Sequence, residues 1–313
     1  MLLLSNFNMD QSLLETLEEM LPTEPRNQQG VDPAGLVYLI IGPPKWGKTT
    51  FFCSVPGAVL VAFERGFKFQ NTPTVFIHEW HDKYFEPYVD SDGVMHLTMT
   101  QFVELMEASD KYKLIIFDTA DMAAKKCSDY YCGKHGWQHA SDGGDWGKGY
   151  DIAQNTPFRQ MVGSLLGTGR GVAFITHSEI RTTAFKKGNK SKKETSLPGG
   201  IFKFLHTQAD VILHGSFGVR QQGNNYRDRI LQTQGDEETL AGNRSRDLVL
   251  PERFIVDPED PWGQWCKFFT DPKAAEAAEE ELVNAVGRRR QREDEVEEEG
   301  EVKPKKNFKK KKL

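Results

Sequence analysis

The chain has 313 residues, 38% of them hydrophobic, so one large domain with polar appendages is expected. Its four cysteines are too few for a disulfide framework and fit a reducing cytoplasm, and no apolar run approaches the length of a membrane span. The net charge of −5 is uneven, because the segment from Arg288 onward holds 11 Lys and Arg against seven Asp and Glu, which leaves −9 on residues 1–287. Such an acidic body can contact nucleic acid only through local basic segments.

Residues 1–34 are predicted to form a helical arm ahead of the core. The apolar residues of the arm share one helical face: Leu13, Leu14, Leu17, Met20 and Leu21. Pro22 and Pro25 end the helix. It either caps the sheet or docks onto a neighbouring subunit.

A phosphate-binding loop follows the first buried strand, which the apolar run 36–41 predicts. Residues 42–49 match G-x-x-x-x-G-K-[ST], and a helix is expected from Lys48 to Cys53. The glycines let consecutive N–H groups point at phosphate oxygens, and the helix N-terminus adds positive potential. We expect Lys48 to reach the β- and γ-phosphates of ATP and Thr49 to bind Mg²⁺. The predicted nucleotide-binding residues are Gly42, Pro43, Pro44, Lys45, Trp46, Gly47, Lys48, Thr49 and Thr50.

Two carboxylates follow later strands. The predicted elements up to residue 118 are strands over 58–63, 74–78 and 113–118 and a helix over 100–108. Asp118 ends an apolar strand, which is the Walker B pattern, and would hold Mg²⁺ through a water. Thr49 and Asp118 are therefore the predicted metal site. Because Thr119 stands where many AAA+ ATPases carry a glutamate, the best candidate to orient the attacking water is Glu64, at the carboxyl end of the strand over 58–63.

Residues 122–150 contain four potential zinc ligands, which are Cys127, Cys132, His135 and His139. Their spacing is not that of a standard zinc finger, and a helix is predicted over 122–134, so a helix with a buried cysteine face is favoured over zinc. The following glycine-rich stretch, 141–150, is predicted to be a flexible loop that offers aromatic side chains and a lysine for stacking and charge contacts.

After a helix over 158–166, a strand over 171–176 ends in Thr176 and His177, which we interpret as sensors of the γ-phosphate. A basic loop over 181–193 follows, either a solvated charge run or a DNA contact that reports nucleotide state. The predicted DNA-binding residues are Arg181, Lys186, Lys187, Lys190, Lys192 and Lys193.

The last part of the chain is predicted to hold strands over 209–214 and 226–232, the second at the sheet edge, and an aromatic segment over 254–269. Asp271 opens a helix that runs to Arg290. The tail is expected to be disordered, with an acidic block followed by lysines that bind either that block or nucleic acid.

The order of these features resembles that of RecA-like ATPases. In those proteins the catalytic glutamate ends the strand after the P-loop helix, which is the position of Glu64 here. A DNA-binding loop follows their sensor strand, as 181–193 follows the predicted sensor strand here. The position of Arg244 is similar to the place from which RecA supplies cations to a neighbour's ATP. The predicted catalytic set is therefore Glu64, Lys48, Asp118, Thr176, His177 and Arg244.

A closer resemblance, over residues 34–270, is to phage-encoded RecA-like ATPases, the Sak-type single-strand annealing proteins. The residues that carry it are 41–50, Glu64, Gly66, 117–119, His139, 141–142, 146–150, 175–177 and 242–244. The resemblance implies an oligomer that binds single-stranded DNA and promotes annealing or recombination, with ATP and Mg²⁺ as cofactors. It also makes the cysteine and histidine cluster incidental.

The predicted fold is an α/β, RecA-like P-loop NTPase core with a mostly parallel twisted sheet flanked by helices. The domains are an arm (1–34), the ATPase core (35–270), a C-terminal helix (271–291) and a disordered charged tail (292–313). The predicted function is ATP-dependent single-stranded-DNA binding in phage recombination, annealing or replication, in the host cytoplasm and without a membrane. The expected partners are single-stranded DNA, further copies of the chain and a single-strand-binding protein. The alternatives are a small-molecule P-loop kinase, a nucleotide-locked DNA clamp and a helicase-like motor of the same fold.

Overall fold

The computed structural model describes residues 31–185, 188–218, 228–237, 239–245 and 248–300, with side chains described except at 180–194 and 287–300. The described residues from Asp32 onward belong to one compact unit. The predicted arm helix, Lys186, Lys187 and the lysine-rich tail from residue 303 lie outside the described residues.

The secondary structure of the described residues alternates between strands and helices. The strands are β1 (Val37–Gly42), β2 (Ala58–Ala62), β3 (Thr74–Ile77), β4 (Tyr88–Val89), β5 (Met95–Leu97), β6 (Leu114–Asp118), β7 (Gly171–Phe185), β8 (Gly188–Thr195), β9 (Val211–Phe217), β10 (Arg229–Gln232), β11 (Gly242–Asn243) and β12 (Arg253–Ile255). The α-helices are α1 (Lys48–Cys53), α2 (Met99–Glu107), α3 (Ala120–His135), α4 (Lys148–Tyr150), α5 (Thr156–Gly167), α6 (Gly199–Gln208), α7 (Pro261–Thr270) and α8 (Pro272–Gly300), with a π-helical turn at Asp151–Asn155.

The strands form one sheet in the order β12-β10-β9-β1-β7-β6-β2-β3-β5-β4. The seven strands from β9 to β5 run parallel, and antiparallel strands extend the sheet at both ends. Gly42 pairs with His177, and Ala62 pairs with Asp118, so the ends of these four strands lie at one edge of the sheet. Ligands bind at this carboxyl edge in open α/β sheets.

The sheet is buried on both faces, as a parallel sheet requires. Along β1, Leu39 and Ile41 point to a core built with α2, α3, α5 and α6. Tyr38 and Ile40 point to a second core, which is built with α1, α7 and α8 and contains a group of packed aromatic rings. Alternation along the strand therefore divides its side chains between two helical layers. The predicted fold class, an α/β P-loop core with a mostly parallel sheet between helices, is confirmed.

The basic segment predicted as a loop over 181–193 is a β-hairpin instead. Strand β7 continues from the core to Phe185, and β8 returns antiparallel to it, with Ser178 opposite Thr195 and Phe185 opposite Gly188. The prediction was wrong about the backbone conformation. The charge and glycine content of the segment suggested a loop, but its two halves pair as antiparallel strands and so provide hydrogen-bond partners for each other's backbone N–H and C=O groups. The hairpin is thus a direct extension of a core strand.

Two further boundaries differ from the predictions. Strand β10 is not at the sheet edge, because β12 pairs along its outer side. Helix α8 continues to Gly300, past residue 291, because glutamate and arginine favour helix even where charge blocks suggest a solvated tail.

Candidate nucleotide-binding site

The P-loop folds around the ammonium group of Lys48. Lys45 and Gly47 have φ angles of 62° and 104°, so the loop turns through the left-handed region before α1 begins. Lys48 Nζ donates to the carbonyl oxygens of Gly42 at 2.7 Å and Pro43 at 2.9 Å. The side chain is only 4% exposed, and burial lowers the pKa of Lys48 to about 8. The loop therefore holds one buried cation at its centre, where a phosphate group would be neutralised.

Trp46, which has no role in the motif itself, fixes the loop to the sheet. Its side chain is 1% exposed, and its Nε1 donates to the carbonyl oxygen of Ser216 in β9 at 2.7 Å. The indole ring lies against Gly215, where an added Cβ would come within 2.7 Å of the ring. Glycine at position 215 thus lets β9 and the P-loop approach closely enough to pack.

Gly215→Ala is expected to lower the free energy of unfolding by about 1–3 kcal/mol, because the new methyl group overpacks a buried indole. It should also weaken nucleotide binding, since the displaced Trp46 carries the loop with it. Denaturant unfolding and nucleotide titration measure both effects. The control is Gly163→Ala in α5, where an added Cβ meets nothing within 4 Å and alanine should stabilise the helix. Equal stability of the two variants would contradict the packing role of Trp46.

The predicted metal ligands lie within hydrogen-bonding distance of each other. Thr49 Oγ1 donates to Asp118 Oδ2 at 3.0 Å. Burial raises the pKa of Asp118 above its ordinary value, the Thr49 hydrogen bond opposes this, and the nearby negative charge of Glu64 adds to the rise. The backbone N–H of Phe63 donates to the carbonyl oxygen of Asp118 at 3.0 Å and so holds the ends of β2 and β6 together. A divalent cation would favour the charged form of such a carboxylate, so these oxygen ligands fit Mg²⁺.

The two predicted sensors occupy different environments. His177 Nδ1 lies 3.4 Å from Lys48 Nζ, at the P-loop. Thr176 is fully buried, and its hydroxyl bonds Asp121 Oδ1 at 3.0 Å and Thr195 Oγ1 at 2.7 Å. The structure therefore brings His177 to the lysine and uses Thr176 in an internal network.

This geometry agrees with a comparison of the sequence with protein families. A family model described as an AAA domain matches residues 34–245, well over half of the chain. The chain belongs to this family of P-loop ATPases. No curated protein matches the chain. Among solved structures, a KaiC-like protein from the hyperthermophilic archaeon Pyrococcus horikoshii OT3 aligns with a TM-score of 0.35 and 14% identity, covering 73% of this chain and 91% of that one.

Within this AAA-domain chain, Arg229 is a residue of the site that motif analysis missed. It opens β10, and its guanidinium lies so close to Gly47 that an added Cβ there would be 2.8 Å from Nη1. No local pattern marks Arg229, because β10 reaches the P-loop only through its pairing with β9. A second cation therefore borders the loop.

Arg244 lies at the opposite edge of the sheet from the P-loop. Strand β11 pairs with the first residues of β9, and Arg244 Nη1 is 3.8 Å from Asp210 Oδ1. Asp210 Oδ2 accepts the N–H of Val37, at the start of β1, whereas the P-loop follows the end of that strand. Arg244 therefore cannot serve the P-loop of its own chain.

The cysteine and histidine cluster does not form a metal site among the described residues, where no group of three or more His, Cys, Asp or Glu is placed to hold an ion. Cys127 is buried in α3, its sulfur 3.9 Å from the carbonyl oxygens of Ala153 and Gln154, and burial raises the pKa of its thiol. His135 stacks on Trp137 instead. The described part of the chain also has no helix long and apolar enough to cross a membrane.

The glycine-rich stretch presents a fully exposed tryptophan. Trp146 has a φ of 60° and is followed by Gly147 in the left-handed region, in a turn between two short helical segments. The chain just after this turn packs beside the chain just after the hairpin, because Gly200 lies against Asn155 and Arg159 Nη2 donates to the Gly200 carbonyl oxygen at 3.2 Å. The start of α5 and the π-helical turn before it therefore contact the first turn of α6, which follows the hairpin.

Proposed function

We propose that this chain is a Mg²⁺-dependent ATPase that binds single-stranded DNA and acts in recombination, annealing or replication, as the phage proteins with similar motifs do. The observation that carries the proposal is the continuity of β7. The strand runs from His177, which faces Lys48, directly into a hairpin rich in lysine. One continuous strand therefore connects the nucleotide site with a segment whose sequence is rich in lysine.

In this proposal the P-loop residues bind the phosphates and two carboxylates serve the chemistry. Lys48 contacts the β- and γ-phosphates, while Thr49 and Asp118 hold Mg²⁺, which neutralises charge on the phosphate oxygens when bound. Glu64, exposed beside Asp118, orients the attacking water. His177 takes the role of γ-phosphate sensor, and Thr176 supports it from inside the fold.

The proposed DNA surface consists of the hairpin and the exposed tryptophan turn. Lysines suit the phosphate backbone, and an exposed indole such as that of Trp146 suits an unpaired base, because every base has a face to stack. Since residues 1–287 are acidic, this basic segment is where a polyanion would bind. The residues of the basic segment 181–193 that are proposed to contact DNA are Arg181, Lys186, Lys187, Lys190, Lys192 and Lys193.

We also propose that the active form is a homo-oligomer. Arg244 is half-exposed at the edge opposite its own P-loop, so any nucleotide that it contacts must belong to a neighbouring copy. A single-strand-binding protein is a further proposed partner, and the proposed site of action is the cytoplasm of the host cell.

The experiment that tests the function is ATP hydrolysis with and without single-stranded DNA across a salt series. Hydrolysis should rise with DNA, and DNA affinity should fall steeply with salt. Each phosphate contact on a single strand adds about 0.7 to the slope of log affinity against log salt. Changing Lys190, Lys192 and Lys193 together to alanine should therefore make that slope shallower by about 2. The matched control changes three exposed lysines elsewhere, which are Lys111, Lys134 and Lys273.

The result also separates the alternatives. Phosphate transfer to a small acceptor, with no response to DNA, would indicate a kinase and overturn the proposal. Tight DNA binding with bound but unhydrolysed ATP would indicate a nucleotide-locked clamp. Unwinding of duplex DNA coupled to hydrolysis would indicate a helicase-like motor.

A further inference from the structure

The carboxylate of Asp121 joins the two strands of the hairpin at their base. Asp121 lies in the first turn of α3, three residues after Asp118. Its Oδ1 accepts from Thr176 Oγ1 at 3.0 Å and from the hydroxyl of Ser196, and its Oδ2 accepts from the backbone N–H of His177 at 3.3 Å. One side chain therefore contacts both the outgoing strand β7 and the residue that follows β8.

The same two strands bond each other directly at this point. The N–H of Ser196 donates to the carbonyl oxygen of His177 at 3.0 Å, and the hydroxyls of Thr176 and Thr195 are 2.7 Å apart. Thr176 and Thr195 are both buried, so the bond between their hydroxyls is shielded from water, whereas Asp121, His177 and Ser196 are half-buried. The base of the hairpin is consequently a small closed network with Asp121 at its centre.

This network also borders the P-loop. The imidazole of His177 is 3.4 Å from Lys48 Nζ, and the negative charge of Asp121 acts to raise the pKa of Lys48 against the effect of burial. Lys48 donates to two loop carbonyls, and a bound phosphate would compete for that ammonium. A change in the orientation of Lys48 alters the environment of His177, whose backbone N–H is held by Asp121.

We propose that Asp121 is a positioning residue that transmits nucleotide binding at the P-loop to the β7–β8 hairpin. This inference rests on the proposed function, because it requires that the P-loop bind ATP. The chemistry of the contacts explains why a carboxylate stands there. All three partners are donors, and a carboxylate offers only acceptors. Asparagine would turn an NH₂ group toward at least one donor and break part of the network.

The test compares Asp121→Asn with the wild type by hydrogen exchange of the backbone amides in 178–196, with and without a saturating non-hydrolysable ATP analogue. Titration of each protein fixes the saturating concentration, so a difference in affinity does not affect the comparison. In the wild type the analogue should change exchange across the hairpin. In Asp121→Asn more than half of that change should be lost.

The matched control is Asp129→Asn, an exposed aspartate on the same helix that pairs with Lys125, and it should respond as the wild type does. Ser196→Ala removes one donor of the network and should lose part of the response, which keeps the test decisive if Asp121→Asn does not fold. Failure of the wild type to bind the analogue would overturn the proposed function together with this inference. Bound analogue with equal hairpin responses in the wild type and both network variants would overturn the inference alone.

Discussion

Lys48→Ala is expected to reduce ATP hydrolysis by about 100- to 1,000-fold, the usual cost of removing one preorganised group that stabilises developing charge. Lys48 is the buried cation at the centre of the P-loop, where its ammonium donates to Gly42 and Pro43. No other loop side chain takes its place, because Trp46 is bonded to β9 and Lys45 is exposed. Steady-state phosphate release and nucleotide titration measure the loss.

The control for Lys48→Ala is Lys111→Ala, an exposed lysine outside the P-loop that should leave hydrolysis unchanged. The pH dependence provides a second check. The pKa of Lys48 is about 8 in the folded chain, and a phosphate ligand would raise it, so nucleotide binding above about pH 8 should take up a proton. Calorimetry in two buffers with different ionisation enthalpies detects that proton. An equal proton uptake by Lys48→Ala would show that another group titrates.

Glu64→Gln is expected to slow hydrolysis by about 100- to 10,000-fold, the range typical of a lost general base, while nucleotide binding is retained or strengthened. The exposed carboxylate follows β2 beside Asp118, and its negative charge contributes to the raised pKa of Asp118. Glutamine keeps the size of the side chain but cannot accept the proton of a water, and it removes a negative charge near the phosphates. Single-turnover hydrolysis and nucleotide titration separate the two effects.

Glu104→Gln, an exposed glutamate on α2, is the matched control and should hydrolyse ATP at the wild-type rate. If Glu64→Gln also retained the wild-type rate, the water would have to be oriented by a different group. If the variant instead lost both binding and hydrolysis, Glu64 would act in binding, and its proposed role in catalysis would be wrong.

The nucleotide site could be predicted from sequence where its geometry is local. The residues 42–49 follow one another along a single turn, so the motif itself specifies the backbone that surrounds Lys48. The positions of Asp118 and Glu64 follow from the sequence because each ends an apolar run, and ends of parallel strands meet at one edge of the sheet. Apolar periodicity likewise predicted the core strands and the helices α2, α3 and α5 to within a few residues, whereas α6 and α7 were not predicted as helices.

The sequence by itself therefore determined the fold class, the P-loop and the strand ends at which the carboxylates lie, because hydrophobic pattern and motif spacing act over short stretches of chain. Only the tertiary structure decided which polar groups meet across the sheet. Strand pairing turned a basic loop into a hairpin, placed Arg229 beside Gly47 and separated Arg244 from the P-loop of its own chain. Thr176 and His177 are adjacent in sequence, but successive side chains of a strand point to opposite faces. The Thr176 hydroxyl therefore contacts Asp121, whereas the His177 imidazole contacts Lys48.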